Sequence, residues 1–226
     1  MVLVFLFTCA GLLAAAALTL YALVVGKISL AKAVGATALV CAGLYLGGLL
    51  LVSFSSPEVV LGRNEEKRFG GFVFDPHLLA SVVGVSQVKA TGQWPDQATA
   101  GGVYMVVTVR LRSDARRVTL TPRYLVATVV DAEGRRYDRS LAAEAALSQG
   151  REIPLAQPIG PGDYYTKDLV FDLPPDASHP RLLIGFEHPV NRLLSLFIIG
   201  DEDSLFHEKV KFRLEPAPAP ALAPQG

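Results

Sequence analysis

The residues with the most obvious chemical potential lie near the C-terminus, where Asp201-Glu202-Asp203 is followed by His207 and Glu208. Carboxylate oxygens gathered on a loop are what calcium favours. Three consecutive acids, however, lack the alternating spacing and turn glycine of a dedicated calcium loop. The expected reading of Asp201, Asp203 and His207 is therefore a solvated turn, with a metal site as the alternative. Asp75-Pro76-His77 offers a second metal ligand or base at His77. No other histidine or cysteine stands at ligand spacing beside it, so a structural histidine is expected. Nucleophile elbows, zinc-helix motifs, phosphate-cradling loops and paired carboxylates are not found. The sequence thus points away from an enzyme and names no cofactor.

Which elements carry these residues? Two uncharged apolar runs come first, Val2 to Val25 and Ala33 to Phe54, joined by a short link containing Lys27 and Lys32. Each exceeds the roughly 20 residues that a helix needs to cross a hydrocarbon core of about 30 Å. Both are expected to span the bilayer as a retained hairpin over 1–54. A cleaved signal peptide would have a basic start and a shorter apolar core. Small residues recur in both runs, and Gly43 and Gly47 have the small-xxx-small spacing that lets helix backbones approach, so they are candidates for a helix–helix interaction. The two lysines of the link, with no acid and no N-terminal tail to count against them, place the link in the cytoplasm. Both chain ends would then lie outside.

The chain has 226 residues, with 21 Lys and Arg against 21 Asp and Glu. What remains after the hairpin suffices for one core. Its charge is balanced, and nucleic acid is not an expected partner. Arg110, Arg112, Arg116 and Arg117 cluster, but Asp114 interrupts them; a solvated edge is expected, with an anionic partner such as lipid headgroups as the alternative. The only cysteines, Cys9 and Cys41, fall in the apolar runs, so the remainder forms no disulfide of its own.

Residues 55–71 mix Ser, Pro, Gly and charge and read as a stalk. From 72 to 215 the pattern is that of short strands: Phe72 to Phe74, Leu78 to Val88, Val103 to Arg112, Tyr124 to Val130, Arg135 to Arg139, Tyr165 to Leu173, Arg181 to Glu187 and Phe206 to Leu214. Val103, Met105, Val107, Val109 and Leu111 alternate onto one face. Asp131-Ala132-Glu133-Gly134 is a hairpin turn in which Gly134 takes positive φ. Leu141 to Leu147 reads as a short helix, and Lys89 to Gly102 as a mobile loop. That loop carries the single tryptophan, Trp94, which either folds over a core edge or serves as an exposed binding anchor. Leu193 to Ile199 is the most apolar stretch outside the hairpin, expected as a buried packing segment, with a patch that touches the bilayer or a partner as the alternative. Residues 216–226 form a Pro/Ala tail. So many short strands with little helix predict a two-layer antiparallel sandwich.

The ordered set Gly102-Val103-Tyr104-Met105-Val106-Val107-Thr108-Val109, Val129-Val130-Asp131-Ala132-Glu133-Gly134-Arg135-Arg136-Tyr137, Ile159-Gly160-Pro161-Gly162 and Leu169-Val170-Phe171-Asp172-Leu173-Pro174-Pro175-Asp176-Ala177 resembles a bacterial domain family. It is the uncharacterised immunoglobulin-like sandwich family related to the immunoprotective extracellular antigens. The resemblance covers Leu78 to Leu214 and implies an extracytoplasmic sandwich with no established catalysis and no functional residues to carry over. The expected fold class is two N-terminal transmembrane α-helices plus an all-β antiparallel immunoglobulin-like sandwich. The expected location is a bacterial inner membrane crossed twice, with the C-terminal domain outside, where it binds or scaffolds a protein partner of the envelope. A structural accessory subunit of a membrane complex, and a hydrolase or metal-binding protein, are the alternatives.

Overall fold

The computed structural model describes residues 1–69, 77–149, 154–186 and 193–215. The chain divides into two compact units: the first joins residues 1–58 to residues 193–209, and the second holds the rest.

In the first unit, α1 (Val2–Val24) and α2 (Ile28–Phe54) form an antiparallel hairpin closed by a turn at Gly26. Both are long and apolar enough to cross a membrane. Neither has a polar face, and large side chains such as Phe7, Leu13, Leu39, Leu44 and Leu51 point outward. A helix that is apolar all round is unstable against water and suits a hydrocarbon surround.

The second unit is a two-sheet β-sandwich. One sheet has the order β2 (Glu66–Arg68), β3 (Leu78–Thr91), β4 (Ala98–Ser113), β7 (Tyr164–Leu173); the other runs β1 (Val60–Leu61), β9 (Lys211–Arg213), β8 (Arg181–Phe186), β5 (Leu125–Val130), β6 (Arg136–Tyr137). All pairs are antiparallel except β1 with β9. The chain crosses between sheets from β4 to β5, returns from β6 to β7, and crosses again to β8. Alternation supplies the core: Met105, Val107, Val109 and Leu111 of β4 and Leu169, Phe171 and Leu173 of β7 meet Val129, Leu182, Ile184 and Phe212 of the other sheet.

The opposite face of β4 and β7 is covered as well. Helix α3 (Leu141–Ser148) starts at Ser140, whose hydroxyl accepts from the Ala143 amide, and ends at Gln149 in left-handed conformation. It packs Ala143 onto Tyr104, Val106 and Val170 in a second apolar cluster. Val170 is buried although its neighbours in the alternation, Asp168 and Asp172, face outward.

Three expectations need correction. The stretch 55–71 is not only a stalk, because β1 and β2 lie within it as sheet members; short edge strands pair through backbone groups and need little side-chain signal. Lys67 of β2 points inward and its Nζ donates to the Ile184 carbonyl of the opposite sheet at 2.8 Å. The loop expected from Lys89 to Gly102 shrinks to the turn between Thr91 and Ala98, since β3 and β4 extend over both flanks. The final strand is only β9, and Phe206 belongs to the first unit. The expected strand Phe72 to Phe74 and the tail 216–226 lie outside the described residues.

Candidate functional site

In the first unit, residues between Phe197 and Glu208 meet the C-terminal half of α2 and the residues just after it at several points. The Tyr45 hydroxyl donates to the Phe197 carbonyl at 2.6 Å. A Cβ placed on Gly48 would lie 3.9 Å from Ile199 Cδ1, and one on Gly200 would lie 4.0 Å from Val52. Ser53 and Ser204 share a buried hydroxyl hydrogen bond of 3.1 Å, the Phe54 and Phe206 rings stack at 5.0 Å, and the Glu208 amide donates to Ser56 Oγ at 2.9 Å. As residue number rises from 197 to 208, the contact on α2 and the residues just after it rises from 45 to 56.

Polarity follows that register. Leu193 to Ile199 is apolar but for Ser195, and Asp201-Glu202-Asp203 comes after the chain has reached Val52. Ser195 and Ile198 are buried, while Leu193 and Phe197, one helical turn apart, face outward. Burial pushes the Asp201 carboxyl up, against the hydrogen bond that it accepts from the Asp203 amide. Asp203 pairs with Lys209 at 2.7 Å.

Among the described residues of the sandwich, two ionic networks centre on a buried carboxylate. Glu144 on α3, with a side chain 3% exposed, receives a two-pronged contact from Arg139 and the Val170 amide at 3.2 Å, and Lys167 Nζ lies 3.4 Å away. This carboxylate ties α3 to the sheet it covers. Asp131, in the β5–β6 turn, accepts from the Arg135 amide and guanidinium and from the Tyr137 hydroxyl. Burial alone would raise its carboxyl; the hydrogen bonds from Tyr137 and Arg135 outweigh that and hold it below the usual range. Arg135 reaches on to Asp176 at 2.7 Å. Each network consumes its own charges, which suits a structural role.

Where do the candidate residues fall? His77 lies 3.1 Å from Asp114, which also pairs with Arg68. Asp201 and Asp203 make the turn contacts just given, and His207 Nδ1 sits 2.9 Å from the Glu208 carbonyl. Among the described residues, no three His, Cys, Asp or Glu side chains gather at metal-binding distance. Trp94 is 87% exposed at the tip of the β3–β4 turn, so it does not fold over the core edge. Gly43 and Gly47 meet neither α1 nor residues 193–209, for a Cβ on either would touch nothing within 4 Å; the glycine of that stretch that meets a neighbour is Gly48. Of the arginines, Arg112 forks onto Glu66 at 2.8 to 2.9 Å, Arg110 stacks over Tyr164 at 5.2 Å, and Arg116 and Arg117 are exposed.

Sequence reasoning misses Tyr45, Ser53 and Glu144. A tyrosine inside an otherwise apolar run is a signal, because its hydroxyl needs a partner there. The lone acid in Leu141-Ala142-Ala143-Glu144-Ala145-Ala146-Leu147 is another.

No protein-family profile matches the sequence, and no curated protein matches it. Among solved structures, the chain is similar to the secreted protein MPT63 of Mycobacterium tuberculosis, with 14% identity over 70% of this chain and 99% of that one, at a TM-score of 0.45. It is also similar to the yjhA protein of Bacillus subtilis, with 10% identity over 70% and 100%, at 0.44. A conserved hypothetical protein of Bacillus anthracis shows 13% identity over 58% and 93%, at 0.43.

Proposed function

We propose that the protein is a two-pass membrane anchor that displays an immunoglobulin-like sandwich on the extracytoplasmic side of a bacterial inner membrane, where the sandwich binds or scaffolds a protein partner and catalyses nothing. The observation that carries the anchor is the pair of helices long and apolar enough to cross a bilayer, with large apolar side chains facing outward along both. In water, such surfaces would drive aggregation; a bilayer is the surround in which they are stable. The orientation rests on Lys27 and Lys32 at the turn between the helices.

The immunoglobulin-like assignment is supported by strand order. In that fold, strands B and E pair in one sheet and C pairs with F in the other; β3-β4-β7 and β9-β8-β5-β6 have the order A-B-E and G-F-C-C′. A binding role is supported by Trp94, a large apolar side chain exposed at the tip of the turn between β3 and β4.

The test uses Cys9→Ala and Cys41→Ala to clear the native thiols, then Asp96→Cys beside Trp94 or Lys27→Cys in the link. A membrane-impermeant maleimide should label position 96 in intact spheroplasts and position 27 only after lysis. The reverse pattern refutes the orientation. A photo-crosslinking amino acid at position 94 should then capture one discrete envelope protein, and capture of none removes the binding role.

One observation favours a second reading, an accessory subunit whose helices pack against other membrane proteins. The α1–α2 hairpin has an open apolar groove of about 680 Å³ lined by small residues such as Gly11, Ala15, Ala33 and Ala38 and edged by larger ones such as Phe7 and Leu12, a shape that a further helix could enter. Gly11→Leu should then abolish co-purification with a membrane protein while labelling at position 96 persists.

A further inference from the structure

We propose that Leu193 to Ile199 is a membrane-dipping element, which enters the outer leaflet beside α2 and contacts lipid acyl chains through Leu193 and Phe197. The inference rests on the reading of α2 as a membrane span and adds a third point of bilayer contact, contributed from within the sandwich sequence between β8 and β9.

Depth is the first argument. With Lys32 at the cytoplasmic boundary, a hydrocarbon core of about 30 Å takes up about 20 residues of helix and ends near Val52. Tyr45 then lies about 10 Å below that outer boundary, at a rise of about 1.5 Å per residue. The Phe197 carbonyl accepts from the Tyr45 hydroxyl, and Ile199 sits against Gly48, about 6 Å below the same boundary. Gly200 reaches the level of Val52, and the acids begin one residue later. The segment is apolar where α2 is inside the hydrocarbon and charged where α2 leaves it.

Backbone chemistry is the second argument. Irregular backbone is tolerated at membrane depth only when its polar groups are satisfied by protein. Here the carbonyls of Leu194, Ser195, Leu196 and Ile198 accept from the amides of Phe197, Ile198, Leu205 and Asp201, at 3.1 to 3.2 Å. The carbonyl of Phe197 accepts from Tyr45. The same bond satisfies the one phenol of α2. A segment meant for water would have no need of a transmembrane tyrosine to cap it.

The third argument is the direction of the side chains. Ser195 and Ile198 turn inward, and the large apolar groups Leu193 and Phe197 turn out on one face. Phe197, held at this depth by Tyr45, meets acyl chains, and Leu193 is exposed four residues before it.

Trp94 is the only tryptophan, so Trp94→Phe gives a silent background in the full-length chain. In it, Phe197→Trp reports on the segment and Leu39→Trp, on the outward face of α2, reports on the span. Each protein is reconstituted into phosphatidylcholine vesicles with acyl chains brominated near the carboxyl end or near the methyl end. The Phe197→Trp protein is expected to lose most of its emission, more with the shallow bromines than with the deep ones. If bromine quenches the Leu39→Trp protein while the Phe197→Trp protein keeps its emission and is quenched by aqueous acrylamide, the dipping element is wrong and the anchor stands. If bromine quenches neither variant, both readings fall. Leu193→Trp carries the same readout should Phe197→Trp not fold.

Discussion

Glu144 provides the sharpest test of how the sandwich is held together. Its carboxylate is buried beneath α3, bonded through both oxygens to Arg139 and lying 3.4 Å from Lys167, whose side chain is 6% exposed. Replacement by leucine keeps the volume and helix propensity but takes the shared anion from two cations in a low-dielectric layer. Breaking a buried pair by removing one partner destabilises by about 3 to 5 kcal/mol. The Val170 amide also loses its carboxylate contact, an effect of about 1 kcal/mol within that range. Pulse proteolysis of the full-length protein in detergent, read across a urea series, reports the folded fraction of the sandwich. With a slope of about 2 kcal/mol per molar urea, the midpoint should fall by about 2 M. Arg139→Met should be less damaging in the Glu144→Leu background than in the native one, with a coupling of about 1 to 3 kcal/mol. A midpoint shift below about 0.5 M, or additive losses, would show that α3 is held by its apolar face alone.

Three other outcomes follow from particular residues. A Cβ on Gly102 would lie 2.0 Å from the Leu173 carbonyl oxygen, so Gly102→Ala should lose about 3 kcal/mol by the same urea measurement, whereas Gly134→Ala, with φ of 79° and open space, should lose only about 1 kcal/mol. The carboxyls of Asp131 and Asp176 are held below their ordinary value of 3.8. A carboxyl lowered on folding stabilises fully above its unfolded pKa and loses that contribution as pH falls through the folded one. The sandwich midpoint should therefore stay level above about pH 5 and decline below it, and Asp131→Asn should flatten the decline while lowering the midpoint at neutral pH. Acrylamide should quench native Trp94 nearly as well as free tryptophan amide, and substantial protection would contradict its exposure at the turn.

The long apolar helices and long strands are legible because each obeys a single strong pattern. Val2 to Val25 admits no charge, and Val103, Met105, Val107, Val109 and Leu111 put an apolar residue at every second position, since one side of β4 faces the other sheet. The Asp131 turn is legible from its glycine. Legibility fails where backbone pairing or tertiary cover decides the outcome. β1 and β2 are too short to show a period, and Gly101-Gly102 reads as a loop until Asp172 is seen accepting from both amides at the irregularity in the β3–β4 pairing. Val170 should be wet by alternation; α3 covers it, and nothing in β7 announces a helix on its outer face. Trp94 is a different case, because an exposed aromatic contradicts the ordinary preference for burial and is for that reason the more informative about function.

Leu193 to Ile199 marks the limit of pattern reading itself. A core strand, a helix packed on a span and a segment immersed in lipid all want apolar side chains, so such a run does not separate them. What separates them is order relative to a ruler, and α2 is that ruler. Along it, contacts advance from Tyr45 to Ser56 as the facing chain advances from Phe197 to Glu208, and the change from apolar to acidic falls where α2 reaches its own polar end at Ser53, Ser55 and Ser56. Had the acids preceded the apolar residues, the same contacts would have set Asp201 to Asp203 against Tyr45 and Gly48, where a bilayer would oppose their charge by several kcal/mol each. The observed order is the one that the proposed bilayer setting requires of a segment running beside α2.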